Sequence, residues 1–116
     1  MTTGGIQTYN RYRKKFVFNI DTAMRLVAGR EPEQQDITRW FAELPNHGIN
    51  DDHWPGVDLS EPLILAPLYD TGELWLIDGW HRIHKAQAEG VTVLPVHVLS
   101  VAEERRVRDY GGDKQW

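Results

Sequence analysis

The residues with the clearest chemical potential lie together in one short segment, LWLIDGWHRIHKAQAEG, at positions 74–90. An apolar, strand-like run leads to Asp78 and Gly79, and a helical pattern follows. The first two turns of that helix carry four basic or titratable residues: His81, Arg82, His84 and Lys85. Cations are unfavourable at a helix amino terminus, because the helix dipole already places partial positive charge there. An anion bound at that end removes the conflict, so the segment predicts a phosphate-type site on a strand-to-helix turn.

A structural interpretation of the same residues stays open. In it, Asp78 caps the helix, Trp80 and Ile83 pack into the core, and the basic side chains point to water. In both interpretations Asp78 is the expected N-cap residue, because an Asp side chain accepts hydrogen bonds from the first amides of a helix. In the functional interpretation Asp78 is also suited to accept a hydrogen bond from a sugar hydroxyl or to hold a metal-bound water.

The elements that must position this segment follow from hydrophobic periodicity and turn chemistry. A strand at 16–20 precedes a helix that is capped by Asp21 and ends before Gly29, and a second helix is predicted over 32–44. The hairpin strands are expected at 62–69 and 73–77, a helix at 80–89, a strand at 93–99 and a last helix from 100 to about 110. The order βααββαβα predicts an α+β, or mixed α/β, domain with a small mixed β-sheet and flanking helices. We expect a flexible basic arm at 1–14, one domain at 15–110 and a tail at 111–116.

Composition narrows the class of protein. A length of 116 residues, 41% hydrophobic and 26% charged residues fit one ordinary globular domain and exclude collagen-like and coiled-coil classes. The absence of cysteine excludes disulfides, thiolate metal sites and cysteine nucleophiles. No apolar run is long enough to span a bilayer and no signal-like segment follows Met1, so we expect a cytoplasmic protein without a membrane partner.

The net charge of −4 hides a basic amino-terminal segment. It contains four cations and no acid in the first fifteen residues, and two tyrosines interleave with the cations: Arg11, Arg13, Lys14, Lys15, Tyr9 and Tyr12. Such a segment is suited to contact nucleic-acid phosphates and to stack on bases. The acidic remainder disfavours a uniformly basic nucleic-acid binder, and a frayed, solvated terminus is the simpler interpretation.

The run I-D-G-W-H-R-I, followed by KAQAEG and VLPVHVL, resembles the nucleotide-binding domain of the ParB and sulfiredoxin superfamily, which includes domains described as ParB-like nucleases. The matching residues, in order, are Gly79, His81, Arg82, Gly90 and Pro95. The similarity is strongest over 73–98 and extends over about 15–100. Trp80 stands where sulfiredoxins have their cysteine, so sulfiredoxin chemistry is excluded. The partition proteins have a G-E-R-R signature at this turn and further DNA-binding and dimerisation regions, for which too few residues follow Leu99.

This resemblance implies binding of ATP or another nucleotide at the start of the helix, with Mg²⁺ as an expected companion. The nucleotide-binding residues would be Asp78, Gly79, Trp80, His81, Arg82 and Lys85, with Asp78 and His81 as candidates for catalysis. ATPase, kinase-like and nuclease activities all stay open. Further candidates lie in the long loop after Pro45: two carboxylates and a tryptophan for metal and base contacts, and a weaker pair of histidines, namely Asp51, Asp52, Trp54, His47 and His53. The alternative function is a non-enzymatic module of a plasmid, phage or other mobile element that binds DNA or protein.

Overall fold

The computed structural model describes residues 6–11, 14–47, 57–69 and 71–111. It confirms the α+β class, with strands in two β-sheets. The strands are β1 (Ile6–Arg11), β2 (Lys14–Asn19), β3 (Glu33–Asp36), β4 (Leu63–Pro67), β5 (Leu74–Asp78), β6 (Val93–Val98) and β7 (Arg108–Tyr110). The α-helices are α1 (Ile20–Val27), α2 (Trp80–Glu89) and α3 (Val101–Val107), and a 3-10 helix spans Thr38–His47.

The chain divides into two compact units, each assembled from segments that are distant in sequence. The first unit contains Met1–Arg30, Ile64–Asp78 and Val98–Trp116. The second unit contains Glu31–Leu63 and Gly79–His97.

The first unit is built on an antiparallel sheet in the order β1-β2-β7. Alternation along β2 directs Phe16 and Phe18 into the core, and Ile20 at the start of α1 joins them in complete burial. Apart from Leu63 at the start of β4, the hairpin of β4 and β5 belongs to the same unit, and it pairs Leu65 with Leu76. Its strands are buried nearly throughout, which explains why they read as continuous apolar runs.

Two side-chain caps fix the helices of the first unit. The Asn19 side chain accepts a hydrogen bond from the Thr22 amide at the start of α1. At the start of α3, Ser100 and Glu103 form a reciprocal capping box. Glu103 also pairs with Arg30 at 2.6 Å, and the guanidinium bonds hold the pKa of the Glu103 carboxyl at about 2.

A buried ion pair closes the carboxyl-terminal end of the first unit. Arg108 Nε lies 2.7 Å from Glu104 Oε2, and the two side chains are only 1% and 3% exposed. The Arg108 guanidinium also donates to the Gly111 carbonyl and lies 4.8 Å from the centre of the Tyr69 ring. These contacts attach β7 to α3 and to the turn after β4.

The second unit packs α2 and the 3-10 helix beside an antiparallel pair of β3 and β6. The Ile37 amide extends this pairing by donating to the Thr92 carbonyl at 2.9 Å. The apolar core contains Ile37, Trp40, Ile83, Ala86 and Leu94.

One predicted helix was wrong, and two others differ from expectation at one end. Residues 32–44 form β3 and the 3-10 helix instead of one α-helix, because Glu33–Asp36 pairs with β6 and Asp36 then turns the chain by accepting from the Thr38 amide and hydroxyl. The last helix ends at Val107, and Arg108–Tyr110 becomes β7. The first helix is capped by Asn19, and the expected cap Asp21 lies inside its first turn.

The amino-terminal segment also differs from expectation. Ile6–Arg11 forms β1 within the range assigned to a flexible arm, and its register pairs Ile6 with Asn19 and Arg11 with Lys14. Within the described ranges, the helices are too short or too polar to cross a bilayer.

We predict that Glu104→Ala lowers the free energy of unfolding by about 3–5 kcal/mol, because it leaves the buried Arg108 charge without its carboxylate. Urea denaturation measures the change. Arg106→Ala, on an exposed residue of the same helix, is the matched control and should change stability by less than about 0.5 kcal/mol. A loss below about 1 kcal/mol for Glu104→Ala would show that the pair does not carry the stability assigned to it.

We predict that the stabilising effect of Glu103 depends on pH. Its pKa falls from 4.5 to about 2 on folding, so the ionised form favours the folded state above pH 4.5 and this contribution disappears as pH falls towards 2. Glu103→Gln preserves the capping geometry and removes the charge. Thermal unfolding of both proteins should therefore differ most near neutral pH and converge in acid, whereas a constant difference across this range would contradict the assignment.

Candidate functional site

The turn into α2 requires glycine at position 79. Gly79 is the N-cap residue with φ of 118°, a conformation that side-chain-bearing residues rarely adopt. A Cβ atom at this position would overlap Leu63 Cδ2, and Leu63 is completely buried. The strand-to-helix turn is therefore fixed by backbone conformation and by close packing against β4 residue Leu63.

Asp78 does not cap α2, which corrects the expectation from sequence. The N-cap residue is Gly79, which has no side chain with which to cap the helix. Asp78 is instead the last residue of β5, half-buried and opposite Ile64 in the strand register. It belongs to the first unit, whereas the other five candidate residues belong to the second.

Arg82 is buried, and its guanidinium donates hydrogen bonds to main-chain carbonyls. Its side chain is in the first turn of α2 and the residue is only 7% exposed. One terminal nitrogen, Nη1, donates to the carbonyl oxygens of Glu61 at 2.9 Å and of Pro62 at 2.6 Å. Arg82 therefore attaches the segment before β4 to α2, a structural role that the sequence analysis did not assign to it.

Lys85 makes a parallel contact one turn later. Its Nζ donates to the Val57 carbonyl at 2.6 Å, and the residue is half-buried. Together, Arg82 and Lys85 bind three carbonyl oxygens of Val57–Pro62, which we call the strap. The role of this segment was not predicted from the sequence, because its only local signal is the turn-forming pattern Asp-Leu-Ser.

The strap is shaped by Asp58. Its Oδ1 accepts from the Ser60 amide at 2.9 Å and from the Ser60 hydroxyl at 2.7 Å. These hydrogen bonds, with the nearby charges of Lys85 and Arg82, hold the pKa of the Asp58 carboxyl below its usual range. A carboxylate therefore lies near the two cations of α2, and it stays ionised at neutral pH.

The two remaining candidates on α2 differ in exposure. Trp80 is only 5% exposed, and its ring meets that of Trp40 edge to face with the centres 6.0 Å apart. This packing favours a core role for Trp80 and gives no support to stacking on a base. His81 is exposed in the first turn of α2, so its imidazole is accessible to a ligand.

Other candidates lie away from α2 or outside the described residues. Arg11 is in β1, and Lys14 and Lys15 begin β2, so these three residues lie on two antiparallel strands. Arg13, Asp51, Asp52, His53 and Trp54 lie outside the described residues, as does the side chain of His47. In the part of the chain that is described, no three histidine, aspartate or glutamate side chains are grouped to hold a metal ion, so those residues do not by themselves fit a Mg²⁺ site.

Comparisons of the chain with protein-family models, curated proteins and solved structures find no match. The resemblance to the ParB and sulfiredoxin superfamily stays a prediction from residues 73–98. The function of the chain is therefore inferred from the geometry around α2.

We predict that Gly79→Ala destabilises the protein more than Gly90→Ala. Gly90 closes α2 with φ of 73° and has open space where a Cβ atom would lie, so its replacement incurs only the left-handed backbone cost of about 1–2 kcal/mol. Gly79→Ala adds overpacking against Leu63, which typically costs about 1–3 kcal/mol more. Urea denaturation of the two variants checks the difference, and equal losses would show that Leu63 yields without cost.

Proposed function

We propose that the amino end of α2 binds the phosphate groups of a nucleotide. The observation that carries this proposal is the charge arrangement of the helix: its first turn contains no acid, and its first two turns contain four basic or titratable residues, His81, Arg82, His84 and Lys85. The helix dipole adds partial positive charge at the same end. An anion is the ligand whose charge this arrangement complements.

The contacts to the strap do not neutralise the two cations. A carbonyl oxygen is a neutral acceptor, so the bonds from Arg82 and Lys85 satisfy donors without cancelling charge. Asp58 supplies one nearby carboxylate against the two cations. A multiply charged anion such as a nucleoside di- or triphosphate would complement the charge of Arg82 and Lys85.

The proposed roles follow from exposure. His81, on the surface of the first turn, would contact the phosphates directly. Arg82 and Lys85 would provide the positive field and, where the strap moves aside, direct hydrogen bonds. Gly79 would permit close approach of the ligand to the backbone of the turn.

The proposal is for binding and includes no bond-breaking step. Phosphoryl transfer usually needs a divalent metal and a group that orients the nucleophile. Among the described residues, no three histidine, aspartate or glutamate side chains are grouped to hold a metal ion. Mg²⁺ enters the proposal as an ion carried by the phosphates of the nucleotide.

A second function is favoured by a different observation. Arg82 and Lys85 both bind main-chain carbonyls, which is the arrangement expected if their purpose is structural. The protein would then be a non-enzymatic module that binds DNA or another protein. The two functions differ in whether a nucleotide stabilises the folded chain.

We predict that at least one of ATP, ADP, CTP and GTP raises the melting temperature of the protein. A ligand at 100 times its Kd adds about 2.7 kcal/mol to stability, which a thermal-shift assay detects readily. His81→Ala should weaken binding several-fold, about 3–10 times, because one hydrogen bond to the phosphates is lost.

The panel is measured with and without Mg²⁺ at fixed ionic strength. Gln87→Ala, on an exposed residue of the same helix, is the matched control and should bind as the unaltered protein does. No shift with any of the four nucleotides would refute the nucleotide site and leave the interaction module. A shift that His81→Ala leaves unchanged would place the nucleotide elsewhere.

A further inference from the structure

We infer that β3 is a docking edge for an extended peptide segment with two cations three residues apart, which adds to β3 as a further antiparallel strand. β3 is the outermost strand in the order β3-β6-β4-β5, and three of its four residues are exposed. In the described part of the chain, no strand pairs with the outer side of β3. An exposed sheet edge of this kind presents main-chain donors and acceptors to an incoming strand.

The register with β6 determines which main-chain groups of β3 point to the open edge. In an antiparallel pair, alternate residues exchange hydrogen bonds with the partner strand, and the residues between them point away from it. The Ile37 amide donates to the Thr92 carbonyl, so every second residue before Ile37 also faces β6. The main-chain groups of Gln34 and Asp36 therefore point away from β6. In agreement, Gln34 lies opposite Pro95, which has no amide hydrogen to donate.

Two carboxylates give this edge its charge pattern. Glu33 and Asp36 are both exposed, and because side chains alternate along a strand, residues three apart lie on opposite faces. The Thr38 hydroxyl and amide donate to Asp36 and hold the pKa of its carboxyl below the usual range, so it is ionised at neutral pH. An antiparallel strand that places one cation opposite each carboxylate has its own cations three residues apart. Opposite charges paired in this way across two strands are stabilising.

The charge of the second unit also favours a cationic partner over a second copy of this chain. The unit contains nine aspartates and glutamates against three lysines and arginines. Such a balance attracts a cationic segment and speeds its association. Pairing of β3 with another β3 would bring two acidic strands together, and the strand has no cation to offset them. The carboxylates that oppose self-association therefore select a basic strand.

The test uses two peptides of the same composition, TKVTKVT and TKKVTVT, capped at both ends. They differ in the spacing of their lysines, so the first can pair with both carboxylates of β3 and the second with only one. NMR titration of the isotopically labelled full chain at fixed salt gives each Kd and locates the contact. TKVTKVT should bind about 2–5 times more tightly, the range that corresponds to one additional cross-strand charge pair. The shifts it causes should be largest at the amides of Gln34 and Asp36.

Two variants separate the main-chain edge from its charges. Gln34→Pro removes an outward amide hydrogen without removing a bond to β6, and proline is tolerated at such edge positions. It should weaken binding of TKVTKVT about 2–10 times, because one hydrogen bond is lost. Gln34→Ala keeps the amide and is the matched control, with an unchanged Kd. Glu33→Gln keeps the size of the side chain and removes its charge, so it should abolish the preference between the two peptides.

The inference fails if neither peptide binds at millimolar concentration. It also fails if both bind equally to the unaltered protein, since that result indicates general attraction to an acidic surface. Shifts at β3 that depend on protein concentration in the absence of peptide would overturn it in favour of a second copy. Thermal unfolding verifies that Gln34→Pro keeps its fold, and the lysine-spacing comparison stands without that variant. The inference uses no residue of α2, so it can fail while the nucleotide site stands, and the reverse also holds.

Discussion

The hydrogen bonds from the Arg82 guanidinium to two consecutive carbonyls, those of Glu61 and Pro62, are the interaction on which the candidate site depends. They bring a segment about twenty residues earlier in the chain onto the first turn of α2, and they keep a charged group satisfied in a nearly buried position. Lys85 repeats the contact one turn further along at Val57. The same two side chains thus place positive charge near the start of α2 and bind the segment that covers it.

This arrangement gives one set of donors two possible partners. Main-chain carbonyls satisfy the hydrogen-bonding capacity of the cations, whereas an anion satisfies that capacity and also balances their charge. Within the chain, the basic residues near the amino terminus of α2 are met by these neutral acceptors and by the carboxylate of Asp58, which offsets some of their charge.

Sequence reasoning worked where a local signal agrees with the tertiary environment. The glycines on either side of α2 are correctly placed, and the capping box at Ser100 and Glu103 is present. It failed where pairing with a distant strand decides the conformation. The helical spacing of apolar residues after Asp36 predicted one helix over 32–44, yet Glu33–Asp36 forms a strand that pairs with β6. The hydrogen-bond partners of Arg82 could not be predicted either. Every residue has a main-chain carbonyl, so the sequence does not indicate which carbonyls lie near Arg82. Asp78 was predicted as the N-cap because an Asp side chain can accept hydrogen bonds from the first amides of a helix, but the N-cap position belongs to Gly79.

The edge-to-face contact of Trp40 and Trp80 gives the second unit a spectroscopic signal that depends on its side-chain packing. Two indoles held rigidly at this distance in an asymmetric environment produce near-ultraviolet circular dichroism, a signal that is lost when specific side-chain packing is lost. Trp80 begins the helix that carries the candidate site, and Trp40 lies on the 3-10 helix packed against it. Loss of this packing would therefore change the near-ultraviolet spectrum of the chain, to which its other three tryptophans also contribute.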